Sequence, residues 1–399
     1  MKNTATQFAE YVSPGHPDRL ADAVAERLVE FAQSQAPTAC RNLVGVEVAI
    51  HDSTVFIDGR IALEGEATVI ETIPLPRVPF DTIVRGVFAE AGYNPQWGPD
   101  PHWGPDPQSL EILVRVCEEE LSLQEADIRP YSDDQNVVIG YACECTVTNH
   151  LPPAHYLALT LGRRMNDMLR KDPEFAVKFG PDFKILCTCR TSQGRSGVRF
   201  EWERLTFSVQ HCRGVGLEEQ HRILAPIIRG LLKTLEEEGL DNVARGFEPR
   251  RHLVLNGAGD FVIGGPRGDN GLSGKKLVVD HYGPGVPIGG GALCGKDPYK
   301  VDRCGALRAR QLARDLVRNT KAQEAKVTLS WSPGEDIPGV RLAELVENGK
   351  SRLVTDSGLP GPGWFSICSI VDDLNLVRQN WAAVMRAGYF AERSHPWEA

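Results

Sequence analysis

Two periodic patterns of apolar residues predict both helices and strands in this chain. In DRLADAVAERLVEFAQSQ, residues 18–35, apolar side chains recur every three or four residues, which predicts an amphipathic helix with Asp18 as its N-cap. The runs LVGVEVAI, 43–50, and TVFIDG, 54–59, are short and rich in β-branched residues, so they predict strands.

The same alternation continues to the end of the chain. Further helices are predicted at 80–92, 155–171, 217–238, 302–319 and 371–387. Further strands are predicted at 137–146, 184–190, 204–211, 252–256, 260–264, 276–280 and 326–332. Helices and strands thus alternate in three stretches of similar length, which indicates an α+β or α/β protein with mixed sheets.

One segment interrupts the pattern. WGPDPHWGPDP, 97–107, is a tandem duplication of five letters whose prolines and glycines exclude a helix or a central strand. We expect a long surface loop, which is either a functional lid or an insertion that arose by duplication.

Composition limits the class of protein. The 399 residues suggest two or three domains, and 42% apolar with 24% charged residues is typical of a globular protein. No apolar run is long enough for a membrane helix, and the N-terminal residues have no apolar signal core, so we expect a cytoplasmic protein. A net charge of −9 disfavours nucleic acid as a partner.

The ten cysteines do not suggest disulfides or zinc. Cys143 and Cys145, like Cys187 and Cys189, form C-x-C pairs inside apolar, strand-like runs, and the sequence has no CxxC. We therefore expect reduced and mostly buried thiols.

The stretch GGGALCGKDPYKVDR, 289–303, resembles the start of a phosphate-binding P-loop. Gly290 and Gly295-Lys296 satisfy GxxxxGK, but Asp297 stands where the P-loop has Ser or Thr. Two prolines interrupt the segment before Gly289, Pro298 follows Lys296, and the helical pattern begins only near Asp302, so the stretch is not a P-loop.

A different kind of phosphate site remains consistent with the residues. Consecutive glycines let backbone N–H groups approach an anion, and GGPRGDNGLSGKK, 264–276, repeats the combination of glycines, Asp and Lys. Isolated Asp residues among lysines suit Mg²⁺ bound together with phosphate oxygens. The basic residues that we expect to serve an anionic substrate are Lys275, Lys276, Lys296, Lys300, Arg303, Arg308 and Arg310.

These two stretches together resemble the signature of the S-adenosylmethionine synthetases. The similarity continues in VSPGHPDRLADAVAERLVE (12–30), DDQNVVIGYACECT (133–146), HLPPAHYLALTLGRRM (150–165), GPDFKILCT (180–188) and SHPWE (394–398). It therefore covers nearly the whole chain in order.

The resemblance implies a fold and a reaction. It implies an α+β fold of three similar domains, each with a mixed sheet packed against helices, at 1–122, 130–248 and 250–399. The family joins methionine to ATP: the methionine sulfur attacks ribose C5′, and the displaced tripolyphosphate is cleaved to pyrophosphate and phosphate. The implied cofactors are Mg²⁺ and K⁺. The implied assembly is a homodimer with active sites between subunits, or a tetramer of such dimers.

The resemblance also implies residue roles. The residues implied to be catalytic are His16, Lys184, Lys275 and Lys296, with His16 beside the departing triphosphate. The residues implied to bind ATP and its phosphates are His16, Asp182, Lys184, Asp269, Lys275, Lys276, Lys296 and Lys300. The residues implied to bind the acceptor are Arg60, Glu119, Asp134, Asp269 and Lys300. The residues implied to bind metal ions are Asp18 and Asp302 for Mg²⁺ and Glu47 for K⁺.

The chain departs from the family pattern at several of these positions. Arg19 and Lys275 exchange one basic residue for another, whereas Asp133 and Asn136 replace glycines. The largest departure is Arg60, where the family has the glutamate that binds the methionine ammonium. Arg60 either pairs with Glu119, or points away from the pocket.

Three functions follow. The first is a methionine adenosyltransferase. The second is an adenosyltransferase for another acceptor, for instance one whose carboxylate meets Arg60. The third is a non-catalytic ATP-binding or regulatory paralogue, which ranks last because the residues at the expected phosphate positions are present.

Overall fold

A computed structural model describes residues 6–35, 41–64, 77–93, 103–192, 194 and 197–399. Its strands are β1 Thr6–Val12, β2 Leu43–His51, β3 Thr54–Leu63, β4 Glu111–Glu120, β5 Asn136–Cys143, β6 Phe179–Ser192, β7 Arg199–His211, β8 Leu253–Leu255, β9 Gly271–Leu272, β10 Glu324–Trp331, β11 Val340–Glu347 and β12 Lys350–Leu353. Its helices are α1 Pro17–Ser34, α2 Phe80–Phe88, α3 Leu123–Ile128, α4 Pro153–Lys171, α5 Pro173–Ala176, α6 Leu217–Glu237, α7 Pro249–His252, α8 Leu277–Asp280, α9 Val301–Thr320, α10 Ile367–Asp373 and α11 Trp381–Ala387.

The described strands form three four-stranded sheets. Sheet A has the order β1-β6-β7-β8, sheet B β4-β3-β2-β9 and sheet C β12-β11-β10-β5. Sheets A and B are mixed, because β8 joins β7, and β4 joins β3, in parallel. Sheet C pairs antiparallel throughout its described strands, and the short turn Asn348-Gly349, with φ of 51° and 73°, connects β11 to β12. The predicted α+β class is confirmed.

One long helix packs on each sheet: α4 on sheet A, α1 on sheet B and α9 on sheet C. In α1 the side chains of Leu20, Val24 and Leu28 recur every four residues and are fully buried. Burying each of them stabilises the fold by about 1.5–3 kcal/mol, so the periodicity that predicts this helix also predicts its packing face.

For α1, α4 and α9, the preceding strand belongs to a different sheet from the one that the helix covers. β1 precedes α1 and enters sheet A, β5 precedes α4 and enters sheet C, and β9 precedes α9 and enters sheet B. The same exchange therefore occurs three times, a structural repeat that the sequence only suggested. The domain boundaries at 1–122, 130–248 and 250–399 stay predictions: sheets B and C each take strands from two of these ranges, and sheet A takes strands from all three.

Several local predictions were wrong. α1 is capped by His16, whose Nδ1 accepts the Asp18 N–H, because Pro17 occupies the first helical position. The segment 260–264 forms no strand, and 276–280 contains α8, a single turn closed by Asp280 N–H to Lys276 O at 2.9 Å. A short apolar run does not distinguish a strand from a helical turn.

The helix predicted at 371–387 is two helices instead. Asn375 has a left-handed φ of 49°, which ends α10, and the Asn380 side chain caps α11. Within the described part of the chain, no helix is both long and apolar enough to cross a membrane.

The prediction of a surface loop at 97–107 is only partly testable. Residues 97–102 lie outside the described residues, but Trp103 is buried, so the second WGPDP unit does not begin as a surface loop.

The nine cysteines within the described ranges are free thiols and six are buried, as expected.

Candidate functional site

The turn before α1 is held against strand β6. Ser13 Oγ donates to the Pro181 carbonyl at 2.8 Å and accepts the Phe183 N–H at 2.8 Å. A Cβ on Gly15 would lie 2.4 Å from the Pro181 oxygen, so only glycine fits this approach. The turn therefore presents His16 beside the β6 residues Asp182 and Lys184.

His16 is a neutral hydrogen-bond donor in this setting. Its side chain is buried, and Nδ1 accepts the Asp18 N–H at 3.1 Å, which leaves the imidazole proton on Nε2. Nε2 lies 4.0 Å from Asp269 Oδ2. Burial and then the Lys184 charge lower the pKa of His16 to about 3, so the ring stays uncharged near neutral pH.

Helix α1 holds the first glycine-rich loop, residues 264–276, through two carboxylates one turn apart. Asp18 accepts the Leu272 N–H at 3.0 Å, and Asp22 accepts the Gly274 N–H at 2.8 Å. Arg19 bridges Asp22, at 3.1 Å, and Asp280, at 2.6 Å. The departure from the family at Arg19 thus forms a buried ion-pair network beneath the loop.

The lysines of this loop lie over Asp18. Lys276 Nζ bonds to Asp18, and Lys275 Nζ lies 3.7 Å from it. Burial works to raise the pKa of Asp18, but the hydrogen bonds from Lys276 and Leu272 outweigh it and hold this pKa below its usual value. Asp18 is therefore an ionised carboxylate beside two ammonium groups.

Asp182 holds the other end of the loop. It accepts the Gly265 N–H at 2.7 Å and is nearly fully buried. Burial raises the pKa of Asp182 to about 6, although this hydrogen bond opposes the shift. Strand β6 and helix α1 thus fix the first glycine-rich loop at both ends.

The second glycine-rich loop, residues 289–300, is attached to sheet B. Asp297 accepts the N–H groups of Val44 and Tyr299, both at 2.9 Å, and pairs with Arg129. The residue that stands in place of the P-loop hydroxyl is therefore buried and structural, in agreement with the exclusion of a P-loop.

The lysines of this second loop are ion-paired within the chain. Lys296 pairs with Asp302 at the start of α9, and Lys300 pairs with Asp133. A Cβ on Gly291 would lie 1.7 Å from Asp302 Oδ1, so glycine is needed there for Asp302 to keep its position.

Most of the predicted site residues form two clusters. We name the first the histidine cluster: His16, Asp18, Asp182, Lys184, Asp269, Lys275 and Lys276. We name the second the lysine cluster: Asp133, Lys296, Lys300 and Asp302. Across the described ranges, no direct hydrogen bond or ion pair joins a member of one cluster to a member of the other. Asp134 is exposed beside Asp133, and its side chain accepts the Gln135 N–H.

Arg60 is bound by carboxylates of its own chain. It lies 2.9 Å from Glu119, the predicted partner, and 2.6 Å from Glu125 in α3. The hydrogen bond from Arg60, helped by Ser122, lowers the pKa of Glu125 to about 2. Sequence analysis did not identify Glu125 as a partner of Arg60, although the spacing Ser122-x-x-Glu125 is that of a capping box.

The carboxylates predicted to bind metal ions are dispersed. Within the described residues, no group of three or more His, Cys, Asp or Glu side chains could hold an ion. Mg²⁺ needs only one or two carboxylates when phosphate supplies other ligands, so Asp18 and Asp302 fit it once their lysines turn to an anion. Glu47 is exposed on β2, paired in register with Asp58, and its role towards K⁺ stays a prediction.

Three basic residues predicted to serve an anionic substrate do not lie at the site. Arg303, Arg308 and Arg310 are buried in α9 and pair with Glu26, Asp373 and Glu398, respectively. A buried charge needs a partner, so Arg303 connects α9 to α1, and Arg308 and Arg310 connect α9 to the C-terminal segments. Sequence reasoning also missed Asp22, which holds the first glycine-rich loop. The helical period of α1 could have identified it, because Asp22 lies four residues after Asp18 on the same face.

Comparison with known proteins shows which enzymes this chain resembles. Residues 263–399 match the model of the S-adenosylmethionine synthetase C-terminal domain. The S-adenosylmethionine synthase of Mycoplasma pneumoniae is 27% identical over 394 residues, which cover 98% of this chain and 92% of the relative. This chain is therefore similar to S-adenosylmethionine synthases over nearly its whole length, and its residues 263–399 match their C-terminal domain. Synthases of this name are transferases, and this chain belongs to that class of enzyme.

One more relative and one solved structure are similar to this chain. The S-adenosylmethionine synthase of Azobacteroides pseudotrichonymphae is 28% identical over 334 residues, 83% of this chain and 74% of the relative. The solved structure of an unusual S-adenosylmethionine synthetase from Campylobacter jejuni has a TM-score of 0.78 at 23% identity, covering 99% of this chain and 97% of that chain. The two proteins share their fold over almost the full length.

Proposed function

We propose that this protein is a methionine adenosyltransferase that converts ATP, L-methionine and water to S-adenosylmethionine, phosphate and pyrophosphate. The observation that carries the proposal is the neutral, buried His16, whose Nε2 lies 4.0 Å from Asp269 of the first glycine-rich loop. The methionine sulfur attacks ATP C5′, and the C5′–O electron pair leaves with the triphosphate. His16 donates a hydrogen bond to the departing oxygen.

The remaining residues act by position and charge, and the reaction needs no protein nucleophile. Lys275, Lys276, Lys296 and Lys300 neutralise the triphosphate. Three of these lysines are paired with Asp18, Asp302 or Asp133, so a bound anion takes over each pairing. The released Asp18 and Asp302 would then hold Mg²⁺, which supplies further neutralisation of phosphate charge.

A homodimer would unite the two clusters in one site. Its support is the separation of the histidine and lysine clusters and an uncovered apolar surface near Arg60. Phe56 and Leu113 are exposed on sheet B, and none of the six residues of α3 is buried, with Leu123 85% exposed. A second copy that covers these groups removes their apolar area from water. A tetramer would pair two such dimers.

The surroundings of Arg60 favour methionine over an acidic acceptor. Two carboxylates of the same chain already neutralise Arg60, and Glu118 and Glu120 flank Glu119. This region is therefore net negative, which suits the ammonium of an amino acid. An acceptor carboxylate would have to displace Glu119 or Glu125 from Arg60.

The first test follows products by mass spectrometry. The protein is incubated with ATP, Mg²⁺ and K⁺, with and without L-methionine. We expect S-adenosylmethionine, phosphate and pyrophosphate only when methionine is present. ATP binding without S-adenosylmethionine would reject the proposal. In that case, adenosylation of another thioether or a carboxylate compound would identify a different acceptor, and no adenosylation would indicate the non-catalytic paralogue.

A further inference from the structure

Tyr93 is a buried side chain that contacts the backbone on which His16 is mounted. It ends the π-helical turn Ala89–Tyr93, where Gly92 takes a φ of 112°. Its hydroxyl donates to the Gly15 carbonyl at 2.5 Å. Gly15 directly precedes His16, so this hydrogen bond acts on the turn that orients the imidazole.

The same hydroxyl also contacts the first glycine-rich loop. A Cβ on Gly265 would lie 2.0 Å from Tyr93 Oη, so the loop backbone passes directly over the phenol. The N–H of Gly265 donates to Asp182. Tyr93 thus lies between the turn that carries His16 and the loop that carries Asp269, Lys275 and Lys276.

The second WGPDP unit covers the Tyr93 ring. A Cβ on Gly104 would lie 2.2 Å from Tyr93 Cε1, so the chain crosses the ring at close contact. The Trp103 carbonyl accepts Gln210 Nε2 at 3.1 Å, and Arg170 lies over the Trp103 ring at 5.9 Å. Part of the duplicated segment therefore packs behind the candidate site.

We propose that Tyr93 is a positioning residue that directs His16 Nε2 towards the leaving oxygen through the Gly15 carbonyl, and that Trp103-Gly104 keep Tyr93 in place. The inference rests on the proposed adenosyl transfer. His16 Nδ1 is already bound to the Asp18 N–H, so the backbone of residues 15–18 decides where Nε2 points. Burial, followed by the Asp182 charge, raises the pKa of Tyr93 far above its usual value, so the phenol remains a donor.

The test is Tyr93→Phe in the full chain, because this change removes one oxygen and keeps the ring. A buried Gly15 carbonyl without a donor lets the turn relax. We expect kcat to fall about 10- to 100-fold, with KM for ATP and methionine unchanged within about twofold. The ¹⁵N spectrum of the His16 ring, assigned by its loss in His16→Gln, is expected to shift from an Nε2–H tautomer towards a mixture.

Tyr389→Phe is the matched control. Tyr389 is also fully buried and also donates a hydrogen bond of 2.5 Å, but to Glu26, away from the turn at Gly15. It should lower the melting temperature to a similar extent and leave kcat and the His16 spectrum unchanged.

Two results would overturn the inference: a kcat for Tyr93→Phe equal to that of the control, or a lower kcat with an unaltered His16 spectrum. If the unsubstituted protein makes no S-adenosylmethionine, the proposed function fails, and the His16 spectrum of Tyr93→Phe alone decides whether Tyr93 orients the ring.

Discussion

At the scale of single residues, the protonation state of His16 separates two modes of catalysis. A ring with a pKa of about 3 does not act as an imidazolium acid near neutral pH, but its Nε2–H can donate a hydrogen bond. Glutamine keeps an N–H donor and alanine does not. We therefore expect kcat to fall about 100-fold or more in His16→Ala and clearly less in His16→Gln.

The corresponding measurement is the dependence of kcat on pH between 6 and 8 for the three proteins. We expect the pH profile of the unsubstituted protein to contain no inflection in this range that is missing from both His16 variants. If His16→Gln is as inactive as His16→Ala, and the unsubstituted protein loses activity as a single group deprotonates, His16 acts as an acid instead.

The same pKa predicts how stability depends on pH. The pKa of His16 rises from about 3 in the folded protein to its ordinary 6.5 on unfolding, so the unfolded chain binds the extra proton. The contribution of the neutral ring is full above pH 6.5 and is lost as pH falls towards 3. Between pH 7 and 5.5 the unsubstituted protein should lose about 1.3 kcal/mol more unfolding free energy than His16→Gln, measured by urea titration. Equal slopes would place His16 in water.

At the scale of elements, the glycine-rich loops work because backbone replaces side chain at particular positions. Gly291 approaches Asp302, while a Cβ on Gly290 would meet nothing within 4 Å. Gly291→Ala should displace Asp302, release its pairing with Lys296 and lower kcat/KM for ATP at least about tenfold. Gly290→Ala is the matched control, with an expected change below about twofold.

Steady-state kinetics with ATP varied at saturating methionine, together with melting temperatures, measures both variants. Equal effects of the two alanines would show that general loop stiffness matters rather than the contact with Asp302. The sequence marks the run of three glycines, but it does not tell which glycine is required, because that depends on which atom of α9 the loop meets.

At the scale of the whole molecule, the two clusters predict complementation between inactive subunits. His16→Ala disables the histidine cluster, and Lys296→Ala disables the lysine cluster. If each site takes one cluster from each subunit, a mixed dimer contains one intact site and one doubly altered site. Random exchange of equal amounts should then restore about a quarter of the original activity.

Activity after co-expression or denaturation and refolding of the mixture, with the oligomeric mass from light scattering, tests this expectation. Each variant refolded alone is the control. A monomeric mass of 43.9 kDa, or a dimer without restored activity, would show that the site does not combine clusters of two subunits.

The sequence alone determined the α+β class, most long helices and strands, the resemblance to the S-adenosylmethionine synthetases and nearly all candidate residues. These features are encoded locally, in apolar periodicity and in contiguous motifs such as Gly15–Asp18 and 264–276. The pairing of Arg60 with Glu119 was also predicted from the sequence, as one of two alternatives.

Only the tertiary structure decided which of these residues meet. The exchange of β1, β5 and β9 between sheets joins segments far apart in sequence, as does the contact of Tyr93 with Gly15 and Gly265. The tertiary structure also separated the lysines of the two glycine-rich loops from the buried arginines of α9, although both groups belong to one basic stretch of the sequence. Burial and partner choice depend on long-range packing, and the order of residues along the chain does not contain that information in a locally readable form.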